Sequence, residues 1–138
     1  MKIMAGYDGS DAAKAALELA KKHAVAFNAR LYVVTSLVGD AETGTEAIEK
    51  AEQELEAIRN AVEKEAIKVE THLLIRGKSA GEDLVAFALE HRIDEVVVGV
   101  KKTSAVGKML FGSNARYVIL HAPCPVLTVK AQSSGLLW

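Results

Sequence analysis

Asp94-Glu95-Val96-Val97-Val98-Gly99 is the stretch on which the fold turns. Three consecutive valines between an acidic start and a glycine read as a β-strand covered on both faces. Such a strand belongs in a parallel sheet, so helical segments should stand on either side of it in sequence. They do. Upstream, Ser79-Ala80-Gly81-Glu82 is a capping box that opens a helix through Leu84, Val85 and Ala88. Downstream, Ser113 starts a short helix with Ala115, Val118, Ile119 and Ala122 inward, stopped by Pro123.

The same alternation extends outward in both directions. Ile3 to Tyr7 is a short apolar run that ends at Asp8-Gly9-Ser10. Ala13, Ala16, Leu17, Ala20, Ala24 and Phe27 then recur at helical spacing, with Asp11, Lys14, Glu18, Lys21 and Lys22 on the opposite face. Leu31 to Thr35 is a second nearly unbroken strand. An acidic loop from Val38 to Gly44 follows, and Thr43 with Glu46 predicts a capping box for a long helix with Ile48, Ala51, Leu55, Ile58 and Val62 as its stripe. Val69, Thr71, Leu73 and Ile75 alternate with Glu70, His72 and Arg76, a half-polar pattern that suits an edge strand. Pro125 to Val129 is the last strand, its proline tolerated at a strand start. The sum is β-α-β-α-β-α-β-α-β, an α/β chain whose ligand crevice is expected at the carboxyl ends of the strands. Asp8, Ser36, Arg76 and Gly99 should share that edge.

Composition sets the outer limits. The 138 residues are 50% hydrophobic and 25% charged, with a net charge of -1. That is one domain's worth of chain, expected over 1–130 with 131–138 as a tail, and large enough to hold a core without disulfide or metal. The near-zero charge excludes a general attraction to nucleic acid, the apolar content excludes disorder, and no apolar run is long enough for a membrane span. Cys124, the only cysteine, stands between Pro123 and Pro125 and reads as a small buried hydrophobe. With no signal-peptide pattern at the N-terminus, the expected compartment is the cytoplasm. His23, His72, His91 and His121 lack metal-ligand spacing, so no metal site is expected.

The segment from Val98 to Asn114 carries the strongest site signal. It leaves a buried strand, crosses a loop with three glycines and three lysines, and enters a helix at Gly112-Ser113. Glycine permits close backbone approach, and free N–H groups at a helix start favour an anion. It is not a Walker A loop, because Met109 follows Gly107-Lys108 and no glycine stands five residues before Gly107. Nor does it lie directly after the first strand, where a dinucleotide fingerprint belongs.

With these residues in place the chain resembles the universal stress protein family over essentially its whole length. Asp8 in Tyr7-Asp8-Gly9-Ser10 matches the acid that follows the family's first strand. Gly99, Gly112 and Ser113 match G-x2-G-x9-G-[ST], the motif of nucleotide-binding members, and Ala122 to Val129 resembles the family's last strand. One position departs: Lys102 stands where the motif has its second glycine. The resemblance implies a flavodoxin/Rossmann-like three-layer sandwich, a five-stranded parallel sheet in the order 3-2-1-4-5 with two helices on each face. It implies a regulatory, stress-response protein that binds ATP or AMP, with Mg²⁺ or Mn²⁺ carried by the phosphates.

On that implication Gly6, Asp8 and Ser36 border base and ribose, the strand-two contact being largely main-chain. Val98 and Gly99 line the ribose side, while Gly112, Ser113, Asn114 and Ala115 meet the phosphates. Lys102 either brings its ammonium to the phosphates or closes the pocket, and Lys101, Lys108 and Arg76 are further candidate phosphate charges. A homodimer through Val126, Leu127, Thr128 and Val129 is implied as well. Two rivals remain: a scaffold of the same fold without nucleotide, disabled by Lys102, and a slow ATPase or Asp8 phosphotransferase. The apolar tip Leu136, Leu137 and Trp138 is assigned no role.

Overall fold

A computed structural model describes residues 1–100 and 112–131. The valine run forms β4 (Glu95–Val100), in which Val96 and Val97 are wholly excluded from solvent. It pairs in parallel with β1 (Lys2–Gly6), whose other neighbour is β2 (Arg30–Leu37). β3 (Val69–Ile75) and β5 (Val126–Lys130) close the two edges, and the order is β3-β2-β1-β4-β5. The five parallel strands therefore stand in the order expected. Lys2 clamps the start of the β1–β4 register: its backbone N–H donates to Asp94 Oδ2 at 2.7 Å, and its carbonyl accepts from the Asp94 N–H at 2.8 Å.

Strand alternation sorts residues between two cores. Ile3, Ala5, Leu31, Val33 and Val97 pack with α1 (Asp11–Phe27) and α2 (Thr45–Lys64). Met4, Tyr32, Val34, Val96 and Val98 pack with α3 (Ala80–Glu90) and α4 (Ser113–His121). Each face of the sheet is thus covered by two helices, as an all-parallel sheet requires. Burial of side chains on both faces supplies the main driving force, on the order of 25 cal/mol per Å² of apolar area.

α1 lies close because its buried stripe is mostly alanine: Ala13, Ala16, Ala20 and Ala24. The approach is tightest at Gly99, where an added Cβ would collide with the backbone of Ala12. Ser10 caps the helix, its hydroxyl accepting from Ala13 N at 3.1 Å. Asn28, in the left-handed region at φ 51, ends it.

Three local expectations change. Thr43 does not cap α2. Its hydroxyl accepts from Gly39 N–H at 3.2 Å and donates to Asp40, whose carboxylate also accepts from Glu42 N–H at 3.0 Å. Asp40 thereby draws Thr43 into a local turn, and Gly44 becomes the cap with no side-chain hydrogen bond. β2 runs two residues beyond Thr35, because Ser36 pairs with Leu74 and Leu37 with Ile75 on β3. Two residues placed on inward stripes face out instead: Ile119 of α4 is 36% exposed and Phe27 of α1 55%. α4 is a nine-residue helix that leans mainly on α3 and buries only Val118.

Candidate functional site

β1 has β2 on one side and β4 on the other, so the chain leaves it in opposite directions and a crevice opens at the carboxyl ends. A cavity of about 270 Å³ occupies that crevice. Gly6, Asp8, Ser36, Val98, Gly99, Gly112, Ser113, Asn114 and Ala115, all singled out from sequence, line it together. Arg76 does not. Its Nε donates to Asp83 Oδ1 at 2.6 Å and its Nη1 to Glu90 at 2.9 and 3.0 Å, which removes it from the candidate phosphate charges on geometry. Lys101, Lys102 and Lys108 lie outside the described residues.

The floor of the cavity is the end of β1. Tyr7 N–H donates to Val34 O at 2.9 Å, and the buried Thr35 hydroxyl donates to Tyr7 O at 2.8 Å, so β2 holds this turn from both sides. Asp8 Oδ1 accepts from Ser10 N–H at 3.0 Å across Gly9, whose φ of +82° needs glycine. Asp8 is exposed at the cavity. Burial pushes the Tyr7 phenol upward, and Glu54 and Asp8 add to the effect, so the phenol keeps its proton at neutral pH.

α3 and α4 form the opposite wall. They approach so closely that a Cβ on Gly81 would stand 2.9 Å from Asn114 O and 3.0 Å from Tyr117 Cβ. Gly81 N–H donates to Asn114 Oδ1 at 2.8 Å, so an α4 side chain satisfies an α3 first-turn donor. Ser79 caps α3 and meets Glu82 as expected, but through the serine hydroxyl rather than the backbone N–H of a full capping box. Its hydroxyl donates to Glu82 Oε1 at 2.9 Å and accepts from Glu82 N–H at 3.4 Å. α4 differs from α1 and α3 in having no side-chain cap at Gly112. Gly112, Ser113, Asn114 and Ala115 bring the start of α4, the positive end of its dipole, to the cavity.

Sequence reasoning missed the apolar part of the lining and one buried acid. Val34, Ala80 and Leu84 face the cavity from β2 and α3. Leu84 was read only as core, although its place one turn into a capped helix at the sheet's carboxyl edge was a usable signal. Asp83, in the same turn, is wholly buried, with Oδ1 on Arg76 and Oδ2 accepting from Ser36 Oγ at 3.0 Å. An acid four residues before inward Phe87 was the clue available for it.

The universal stress protein profile matches residues 1–130. The chain belongs to that family. A universal stress protein of Thermus aquaticus is 35% identical over 135 residues, covering 93% of this chain and 97% of the relative. Among solved structures, a universal stress protein from Archaeoglobus fulgidus is 40% identical with a TM-score of 0.84, covering 94% of this chain and 98% of that one. A universal stress protein structure from the same organism, in complex with dAMP, is 36% identical with a TM-score of 0.78 and the same coverage. Gly99 near the end of β4 and Gly112 and Ser113 at the start of α4, the three positions that match the motif, line the cavity.

Proposed function

We propose that this universal stress protein binds an adenine nucleotide, AMP or ATP, in the cavity at the carboxyl ends of β1, β2 and β4, and acts as a regulatory homodimer in the stress response. The observation that carries the reading is the make-up of the cavity lining. It combines apolar side chains, Val34, Ala80 and Leu84, suited to a base, with the start of α4, suited to phosphate. The dAMP complex of the 36% identical relative supports the same ligand class. Asp8 would take a ribose hydroxyl, while Lys101, Lys102 and Lys108 would add positive charge near the phosphates. Among the described residues no group of three or more His, Cys, Asp or Glu is placed to hold a metal ion, so Mg²⁺ or Mn²⁺ would be carried by the phosphates themselves. The homodimer would form through β5, an edge strand on which Val126, Leu127 and Val129 are only half-buried and Thr128 is exposed.

The test is direct. Purified protein is denatured and the supernatant analysed for adenine nucleotides, and the emptied protein is then titrated with AMP and with ATP plus Mg²⁺. Saturable binding of either at micromolar to millimolar concentration is expected. No released nucleotide and no heat at millimolar ATP would overturn the reading. Recovery of binding in Lys102→Gly would then assign the loss to that residue, in favour of the scaffold reading for the natural chain. Light scattering on the eluting protein should give twice the mass of one chain, and a monomer would remove the dimer.

A further inference from the structure

The wall of the cavity at the end of β2 carries a hydrogen-bond polarity that is set from behind it. Ser36 lines the cavity, and its Oγ lies 3.0 Å from Oδ2 of Asp83. Asp83 is 0% exposed, and its other oxygen receives Arg76 Nε–H at 2.6 Å. Arg76 is held in turn by both oxygens of Glu90. A carboxylate paired with a guanidinium can only accept, so the Ser36–Asp83 bond uses the one hydroxyl proton Ser36 has. What Ser36 keeps for the cavity is lone pairs. Asn114, at the start of α4 in the same lining, is fixed in the opposite sense. Its Oδ1 is taken by Gly81 N–H, which can only donate, so its amide N–H groups are what remain. The lining therefore offers an acceptor at Ser36 and donors at Asn114.

We propose that Asp83, acting through Ser36, makes the β2 end of the cavity prefer a base that presents an amine over one that presents a carbonyl oxygen. The inference rests on the adenine-nucleotide reading, with the base at the apolar β2 end and the phosphate at α4. Main-chain groups at a strand end are the same whatever the residue; the orientation of the Ser36 hydroxyl is this chain's own contribution. A purine with a 6-amino group donates to Ser36 Oγ. A 6-oxo purine sets an acceptor against an acceptor, leaving both without a partner in a partly desolvated site. Asp83 is a positioning residue: it is shut off from the cavity and acts only by holding the Ser36 proton.

AMP and IMP differ at this edge of the base and share ribose and phosphate, so their ratio isolates the effect. Titration calorimetry on the full chain is expected to give AMP an advantage of roughly tenfold to a hundredfold. In Asp83→Asn the new side-chain oxygen still accepts from Arg76 Nε–H, which turns its amide N–H toward Ser36 Oγ. The serine proton is then released to the cavity, and the preference should fall to parity or move toward IMP. Loss of structure alone would weaken both nucleotides alike and leave their ratio unchanged. Ser36→Ala, which removes the acceptor without disturbing a buried ion pair, should lower the ratio severalfold and serves if Asp83→Asn does not fold. An AMP:IMP ratio unchanged in the folded variants, or equal binding of the two by the natural chain, would overturn the inference and leave the nucleotide reading standing. Binding of neither AMP nor IMP would overturn both.

Discussion

Gly99→Ala adds a single methyl group at the point where β4 meets α1. The built Cβ would overlap the carbonyl and Cβ of Ala12, and none of the atoms it meets belongs to a flexible side-chain end. A helix backbone cannot step aside locally, so the first turn of α1 must lift from the sheet. Overpacking of this kind costs about 1–3 kcal/mol, and a clash with main chain belongs in the upper half of that range. For a chain of this size about 2–3 kcal/mol corresponds to a fall in Tm of roughly 6–12 °C. The lifted turn carries Ser10 and Ala12, both in the cavity wall, and is joined to Asp8 by the Asx turn, so nucleotide affinity should fall together with stability. The matched control is Gly44→Ala, where an added Cβ meets nothing within 4 Å and the backbone φ is -80°, open to any residue. Its cost should stay within about 1 kcal/mol, the scale of alanine at a helix N-cap. Thermal and urea unfolding of the three proteins, with AMP titrations on each, measures all of this. Equal Tm values for Gly99→Ala and the natural chain would refute the packing argument.

Other consequences follow from the same contacts. Arg76→Leu leaves the wholly buried Asp83 carboxylate without its guanidinium, and should cost about 3 kcal/mol in urea unfolding. Arg76→Lys should restore only part, because an ammonium cannot reach Asp83 and Glu90 as a fork does; a loss below about 1 kcal/mol for Arg76→Leu would contradict the account. The Arg76 hydrogen bond holds the Glu90 carboxyl below its ordinary 4.5. Its small, solvent-screened contribution is therefore present above that pH and lost as pH falls through the lowered value, so Glu90→Gln should flatten the acid limb of Tm below pH 4.5. Parallel curves would remove the effect. Burial raises the Cys124 thiol above its usual range, with Asp94 and Glu95 adding to it. Alkylation at neutral pH should then be slow in the folded chain and faster once urea exposes the thiol, and equal rates would show it to be accessible.

The elements and their order were legible because each rests on local periodicity. Val96, Val97 and Val98 announce a strand covered on both faces, and the alanine stripe of α1 announces a helix packed closely on a sheet. The half-polar alternation from Val69 to Ile75 marked β3 as an edge. The residues gathered at the cavity rim were legible too, through chemistry that favours glycine, serine and a helix start after β4. Capping was legible only where nothing competed. Ser79 caps α3 and bonds Glu82, whereas Asp40 captures Thr43 before it can serve α2.

What sequence could not supply is which side chain meets which across the fold. Arg76 reads as a free charge at the sheet's edge until α3 brings Asp83 and Glu90 to it. Ser36 and Asp83 are 47 positions apart, and neither the burial of the acid nor the direction of the serine proton has a local signature. Gly99 is the instructive case. Its place near the end of β4 allowed close approach of a backbone, and the structure shows that backbone to be Ala12 of α1. The sequence by itself determined the alternation of strands and helices, since propensity and period act within a few residues. The tertiary structure alone decided the packing of α1 against β4 and the polarity of the cavity wall, because both arise where distant elements meet and buried polar groups must find partners.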